Sequence, residues 1–136
     1  MKKLILLSAI LLTGCDQITD TRLVCDCDFT QDNRENNGSK TMCYSEQYDV
    51  NNNTLVFNEL KKKFVWDGVV LDDYGTKWTD DSISWSFEDD TFYTWLRFNR
   101  INLIFTKTDS HKIKESPSDA WRTKTITYAC RIVDGV

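Results

Sequence analysis

The sequence predicts an all-β domain, a small antiparallel meander barrel of about 7–8 strands stapled by disulfides, with a β-sandwich as the alternative. Three observations carry this reading. Short runs of alternating apolar and polar residues recur along the chain, separated by turn-forming residues. No stretch sustains a helical period. An even set of cysteines, Cys25, Cys27, Cys43 and Cys130, lies within the run-bearing region. Sequential hairpins need no long crossover, and closing them into a barrel removes edge strands that would pair with other chains.

The first fifteen residues lie outside that domain. Lys2 and Lys3 precede a largely apolar run, Leu4 to Leu12, and small residues follow. That order marks an export signal rather than a fold element. At about 1.5 Å per residue, the run reaches only about 14 Å, less than half of a bilayer core of about 30 Å. Leu12-Thr13-Gly14-Cys15 resembles the lipobox of bacterial lipoproteins. The resemblance implies cleavage before Cys15, a diacylglyceryl group on its thiol, and a fatty acid such as palmitate on the new amino terminus. Two or more acyl chains give stable anchoring where one does not. By the same resemblance, Asp16 implies retention in the inner membrane facing the periplasm, with the outer membrane or cell surface as the alternative. The expected organisation is a signal peptide at 1–14, a lipidated cysteine and tether at 15–22, and one β domain at 23–136.

Removing the leader leaves about 120 residues, enough for one core. It also removes two lysines, which takes the formal net charge from −4 to about −6. An acidic domain disfavours polyanionic partners, so no nucleic acid is expected and a protein partner of cationic character fits better. Cys25 and Cys27 stand two apart on one strand and point the same way, which disfavours a bridge between them. One of them is expected to pair with Cys43 and the other with Cys130. The chain-entropy model gives about 3 kcal/mol for the short loop and about 4.7 kcal/mol for the long one. Zinc fits poorly, because C-x-C lacks ligand spacing and the chain has one histidine.

Leu23 to Phe29 is the first run, and Asp32 to Ser39 is a loop in which Asn37-Gly38 suits positive φ. Lys40 to Tyr48 is a second run. Asn51-Asn52-Asn53 turns the chain into Thr54 to Leu60, and Lys61-Lys62-Lys63 separates that run from Phe64 to Leu71. Ser82 to Phe87 alternates strictly, with Ile83, Trp85 and Phe87 on one face and serines on the other. Glu88-Asp89-Asp90 makes the next turn. Thr91 to Asn99 sets Phe92, Leu96 and Phe98 on one face and Tyr93, Trp95 and Arg97 on the other. After a turn at Asn99-Arg100, Ile101, Leu103 and Phe105 resume the alternation. Ser116-Pro117 offers a cap for one helical turn through Trp121. The last run, Thr123 to Val133, places Lys124, Ile126, Tyr128, Cys130 and Ile132 on one side.

Chemistry-bearing residues are sparse. His111 sits in a polar stretch without a nucleophile motif near it, so it reads as a loop histidine, and no catalytic residue is assigned. Asn33-x-Glu35-x-Asn37-Gly38 has half of a calcium-loop spacing, but its twelfth position is Tyr44. Asp49-x-Asn51-x-Asn53 lacks the glycine. Both read as turns, and neither a metal nor a cofactor is expected. Lys61 to Lys63 reads as a solvated strand entry, with a basic docking spot as the other reading. The chain carries five Trp, five Tyr and seven Phe, which puts rings on both faces of 91–99. If one face fills the barrel, Tyr93 and Trp95 stand outward, either as a binding surface of the kind enriched at hot spots or covered by the 107–122 segment, where Trp121 sits.

Tyr74-Gly75-Thr76-Lys77-Trp78, the turn Thr79-Asp80-Asp81 and the run Ile83 to Trp85 resemble part of the membrane-bound inhibitors of c-type lysozyme. Those are small lipoproteins with an antiparallel barrel and a disulfide joining early and late strands. Gly75 matches the family pattern and Trp78 stands where the family has tyrosine, whereas Tyr74 replaces a serine and no counterpart of the family's following lysine is found. The resemblance implies a lipocalin-like or inhibitor-like barrel and a binding surface at Gly75, Lys77 and Trp78, with Tyr93 and Trp95 nearby. The expected function is a non-enzymatic, lipid-anchored envelope protein that binds a protein, with a cationic lysozyme as one target. A prophage exclusion lipoprotein and a membrane-anchored carrier of a small apolar ligand are the alternatives.

Overall fold

The computed structural model describes residues 19–43, 53–112 and 121–133. Among these, ten strands form a single antiparallel sheet. In chain order they are β1 (Thr21–Asp32), β2 (Thr41–Met42), β3 (Asn53–Asn58), β4 (Lys63–Trp66) and β5 (Val69–Leu71). The second half contributes β6 (Thr76–Trp78), β7 (Ser82–Glu88), β8 (Phe92–Asn99), β9 (Ile104–Lys112) and β10 (Trp121–Ile132). The sheet order is β5-β4-β3-β1-β10-β9-β8-β7-β6, and β2 pairs with β1 on the same side as β3.

The sheet curls nearly into a barrel. Ring contacts across its interior make the curl visible. Trp66 on β4 stacks on Phe105 of β9, with centroids 4.0 Å apart, and Phe57 on β3 meets Phe98 of β8 at 5.7 Å. Phe64 on β4 meets Trp78 of β6 at 6.3 Å, so the two sheet ends face one another. Leu23, Leu55, Phe64, Ile83, Phe98 and Phe105 are almost wholly buried and form the centre of the core. Burying a side chain of this size stabilises by roughly 1.5–3 kcal/mol.

Register explains where the core stops. One inward row runs Ile83, Phe98, Phe105, Tyr128 and Cys27 across five strands. The next runs Trp85, Leu96, Lys107, Ile126 and Thr30, and the third runs Phe87, Thr94, Asp109, Lys124 and Asp32. The same strand face passes from apolar to charged within three rows. β3 to β6 are short and enclose the apolar end, whereas β7 to β10 and β1 extend beyond it.

The all-β class and the near-closed barrel agree with the sequence reading, and the strand count is higher than seven or eight. The expected run Phe64 to Leu71 is two strands. Asp67 (φ 47°) and Gly68 (φ 84°) turn the chain back on itself, the mirror-turn geometry that Asp-Gly favours in hairpins. Residues 76–78 form a further short strand. Ile101 and Leu103 lie in a turn, with Leu103 at φ 59°, and the strand begins at Ile104. His111 belongs to β9 rather than to a loop. β1 begins at Thr21, two residues before the expected domain start, and Leu60 lies past the end of β3. Of the run Lys40 to Tyr48, Thr41 and Met42 form β2, Cys43 follows, and 44–48 lie outside the described residues, as do Cys15, Asp16 and the Ser116-Pro117 turn. Trp121 opens β10.

Candidate functional site

Strand β8 carries the aromatic pair outward. Its inward side chains Thr94, Leu96 and Phe98 are buried, and alternation therefore turns Tyr93, Trp95 and Arg97 to the opposite face. Trp95 is flanked in register by Ser86 on β7 and Thr108 on β9, and Tyr93 by Glu88 and Ser110. Both rings are half-buried, Trp95 between two small hydroxyl residues and Tyr93 between a serine and a glutamate. Arg97, Asn99 and Thr106 continue the face and, with Asn102 and Ile104, line a shallow cleft of about 120 Å³. Further across, Thr108 and Thr125 hydroxyls meet at 3.1 Å, and Ser110 and Thr123 at 2.8 Å. These cross-strand hydroxyl pairs leave the face uncharged between β9 and β10 at these two rows.

The expected constellation divides between two faces. Lys77 pairs with Ser84, which pairs with Arg97, so Lys77 lies on the same outer face as Tyr93 and Trp95. Trp78 pairs with Ile83 and packs against the core, so it does not present an exposed loop surface. Its indole Nε1 is buried and has no hydrogen-bond partner among the described residues, as is the case for that of Trp85. Gly75 serves packing. A Cβ there would lie 2.8 Å from Trp85 Nε1 and 2.9 Å from the Ser86 carbonyl oxygen. The bare backbone lets the chain pass over the Trp85 ring, and the Ser86 N–H donates to the Gly75 carbonyl at 3.2 Å.

All four domain cysteines are bridged. Cys25 joins Cys130 directly across β1 and β10, with Cα atoms 4.0 Å apart, and Cys27 joins Cys43 with Cα atoms 6.0 Å apart. The first strand is thus fastened to the last, as the even cysteine count suggested, and the open choice between the two partners is resolved.

The charged end holds a fork that sequence reasoning missed. Asp32 is 7% exposed at the end of β1. Arg122 on β10 donates to its carboxylate from Nη2 at 2.8 Å and Nε at 3.1 Å, and from Nη2 to Glu35 Oε1 at 3.1 Å. The Arg122 hydrogen bond holds the Asp32 carboxyl below the usual carboxylate range, aided by the Arg34 backbone N–H and opposed by burial. Asp32 in turn raises the Arg122 guanidinium. Asn33 completes the clasp, donating to the Trp121 carbonyl and accepting from the Thr123 N–H, both at 2.9 Å. The residues of the first calcium-like stretch therefore brace a turn, with Asn37 at φ 56° and Gly38 at φ 76°. Of the second stretch, only Asn53 falls among the described residues before Thr54, and it pairs with Cys25 in β3. Among the described residues, no group of three His, Cys, Asp or Glu side chains is placed to hold a metal ion.

At the opposite, apolar end a larger cleft of about 470 Å³ opens between Thr19, Phe57, Glu59, Leu60, Lys62 and Arg100. No protein-family model, curated protein sequence or solved structure matches the chain.

Proposed function

We propose that this is a non-enzymatic, lipid-anchored binding protein of the bacterial cell envelope, and that it recognises a protein partner through the outer face of β7 to β9. Cys15 carries the acyl anchor and Asp16 favours the inner membrane. One observation bears most of the weight: Tyr93 and Trp95 stand half-buried two residues apart on β8, turned away from the core of a disulfide-fastened sheet. Rigid rings on a rigid strand lose little entropy when covered, which is why such positions dominate binding energy. The partner is cationic, since a domain of about −6 net charge steers positive surfaces toward it.

The carrier reading draws no support from the barrel interior, which Trp66, Phe105, Phe98 and Phe64 fill. The lysozyme-inhibitor reading gains nothing from Trp78, which is turned toward the core.

A photo-crosslinking amino acid placed at exposed Arg97 and, separately, at exposed Val70 on β5 tests the assignment in living cells. The expected result is a discrete adduct from position 97, absent from position 70 and lost when Tyr93 and Trp95 are both changed to Ser. An adduct that survives that double change, or one that forms only at position 70, places the partner elsewhere.

A further inference from the structure

The tether is shorter than the sequence suggested, and its length fixes which end of the barrel meets the membrane. Asp20 is already held by the fold. Lys63 Nζ donates to its Oδ2 at 2.8 Å and Asn58 Nδ2 to its Oδ1 at 3.3 Å. Thr19 borders the cleft at the apolar end. Only three residues, 16 to 18, separate Thr19 from Cys15, and the four steps between them reach at most about 14 Å. An acylated Cys15 therefore holds that end within headgroup distance of the bilayer.

The turns found there suit that position. Residues 59–62 join β3 to β4 and residues 100–103 join β8 to β9. Arg100 Nη2 binds Glu59 Oε2 at 3.3 Å and ties the two turns together. Next to each tied residue stands an exposed aliphatic side chain, Leu60 at 64% and Ile101 at 74%. Lys61 and Lys62 are exposed beside Leu60, so the cationic run lies at the tethered end of an otherwise acidic chain. Asp80 and Asp81 lie on the neighbouring turn, which sets the membrane-facing side toward β3 and β4.

We infer that the Leu60–Lys62 and Ile101 turns form a bilayer footprint: the two aliphatic side chains enter the headgroup boundary while Lys61 and Lys62 meet lipid phosphates. The inference rests on the acyl-anchor reading and adds an orientation to it. Apolar side chains at an interface, flanked by lysines, are the ordinary chemistry of peripheral membrane contact. The barrel then stands end-on. Its charged end, with the 33–38 and 89–91 turns, points away from the membrane, and the Tyr93–Trp95 face stands upright at the side.

The acylated protein purified from membranes, placed in phosphatidylglycerol-containing nanodiscs doped with a gadolinium-headgroup lipid, tests this by amide NMR. Signals from 59–62 and 100–103 should weaken at least threefold more than those from 33–38 and 89–91. The exposed double change Leu60→Ser and Ile101→Ser should reduce that contrast at least twofold while leaving the spectrum of the core unchanged. Equal weakening at both ends in a protein that carries its fatty acids overturns the footprint and leaves the anchor standing. A protein that carries no fatty acid and stays out of the discs overturns both.

Discussion

Trp66 lies flat on Phe105, with ring centroids 4.0 Å apart and planes 19° from parallel, and Tyr128 meets the edge of the same indole at 4.9 Å. The stack joins β4 to β9, which are far apart in the sheet order, so it exists only because the sheet has curled. Trp66→Ala removes the ring that fills the barrel interior. It should cost about 3–5 kcal/mol by chemical denaturation, the range for deleting a large buried aromatic. A cost below about 1 kcal/mol would indicate an open interior.

The two bridges should differ in weight. Cys25–Cys130 spans a sequence separation of 105 and Cys27–Cys43 one of 16. On chain entropy the long loop contributes about 4.7 kcal/mol and the short one about 3 kcal/mol. Cys25→Ala with Cys130→Ala should therefore lower the denaturation midpoint more than Cys27→Ala with Cys43→Ala. The opposite order would show that native packing, not loop closure, sets the balance.

Asp32 should add an acid limb to stability. Its carboxyl is held below its ordinary value by Arg122. The contribution is present above the unfolded pKa of about 3.9 and is lost as pH falls through the lower folded value. Asp32→Asn should flatten that limb and cost about 1–3 kcal/mol at neutral pH through lost charge-assisted hydrogen bonds. Denaturation curves from pH 2 to pH 7 read both effects on one axis.

Gly75→Ala should destabilise by about 1–3 kcal/mol, since the added methyl meets a buried indole and a backbone carbonyl. The same change at Gly38, where a Cβ meets nothing within 4 Å, separates steric crowding from backbone strain at φ 76°. Thermal melts of the two variants make the comparison.

Much of the fold was legible where two-residue alternation was long. Ser82 to Phe87 and Thr91 to Asn99 form β7 and β8 with the faces that the alternation assigned. The outward position of Tyr93 and Trp95 followed from that pattern alone. Short strands were not legible as separate elements, because three residues at 69–71 merged with the run before them and three at 76–78 hold too little pattern to rise above a loop. Asp67-Gly68 was the available signal for the first of these hairpins and lay inside an apolar run that masked it.

The Asp32–Arg122 fork was hidden for a different reason. Cys25 opposite Cys130 sets a register that would place Asp32 opposite residue 123. A bulge between Cys27 and Phe29 shifts the pairing by one, so Asp32 faces Lys124 and Arg122 reaches it diagonally. No residue near position 28 announces a bulge, and side chains 90 positions apart met only once the strands were in place. Trp78 illustrates the limit of resemblance, since a local match fixed its neighbours in sequence but not which face of the sheet it would take.

The mass of the intact protein extracted from cell membranes tests the central claim most directly. A chain starting at Cys15, heavier by a diacylglyceryl group and an amide-linked fatty acid and lighter by four hydrogens for two bridges, is the predicted species. An unacylated product, or one that keeps Met1 to Gly14 on an unmodified thiol, contradicts the account.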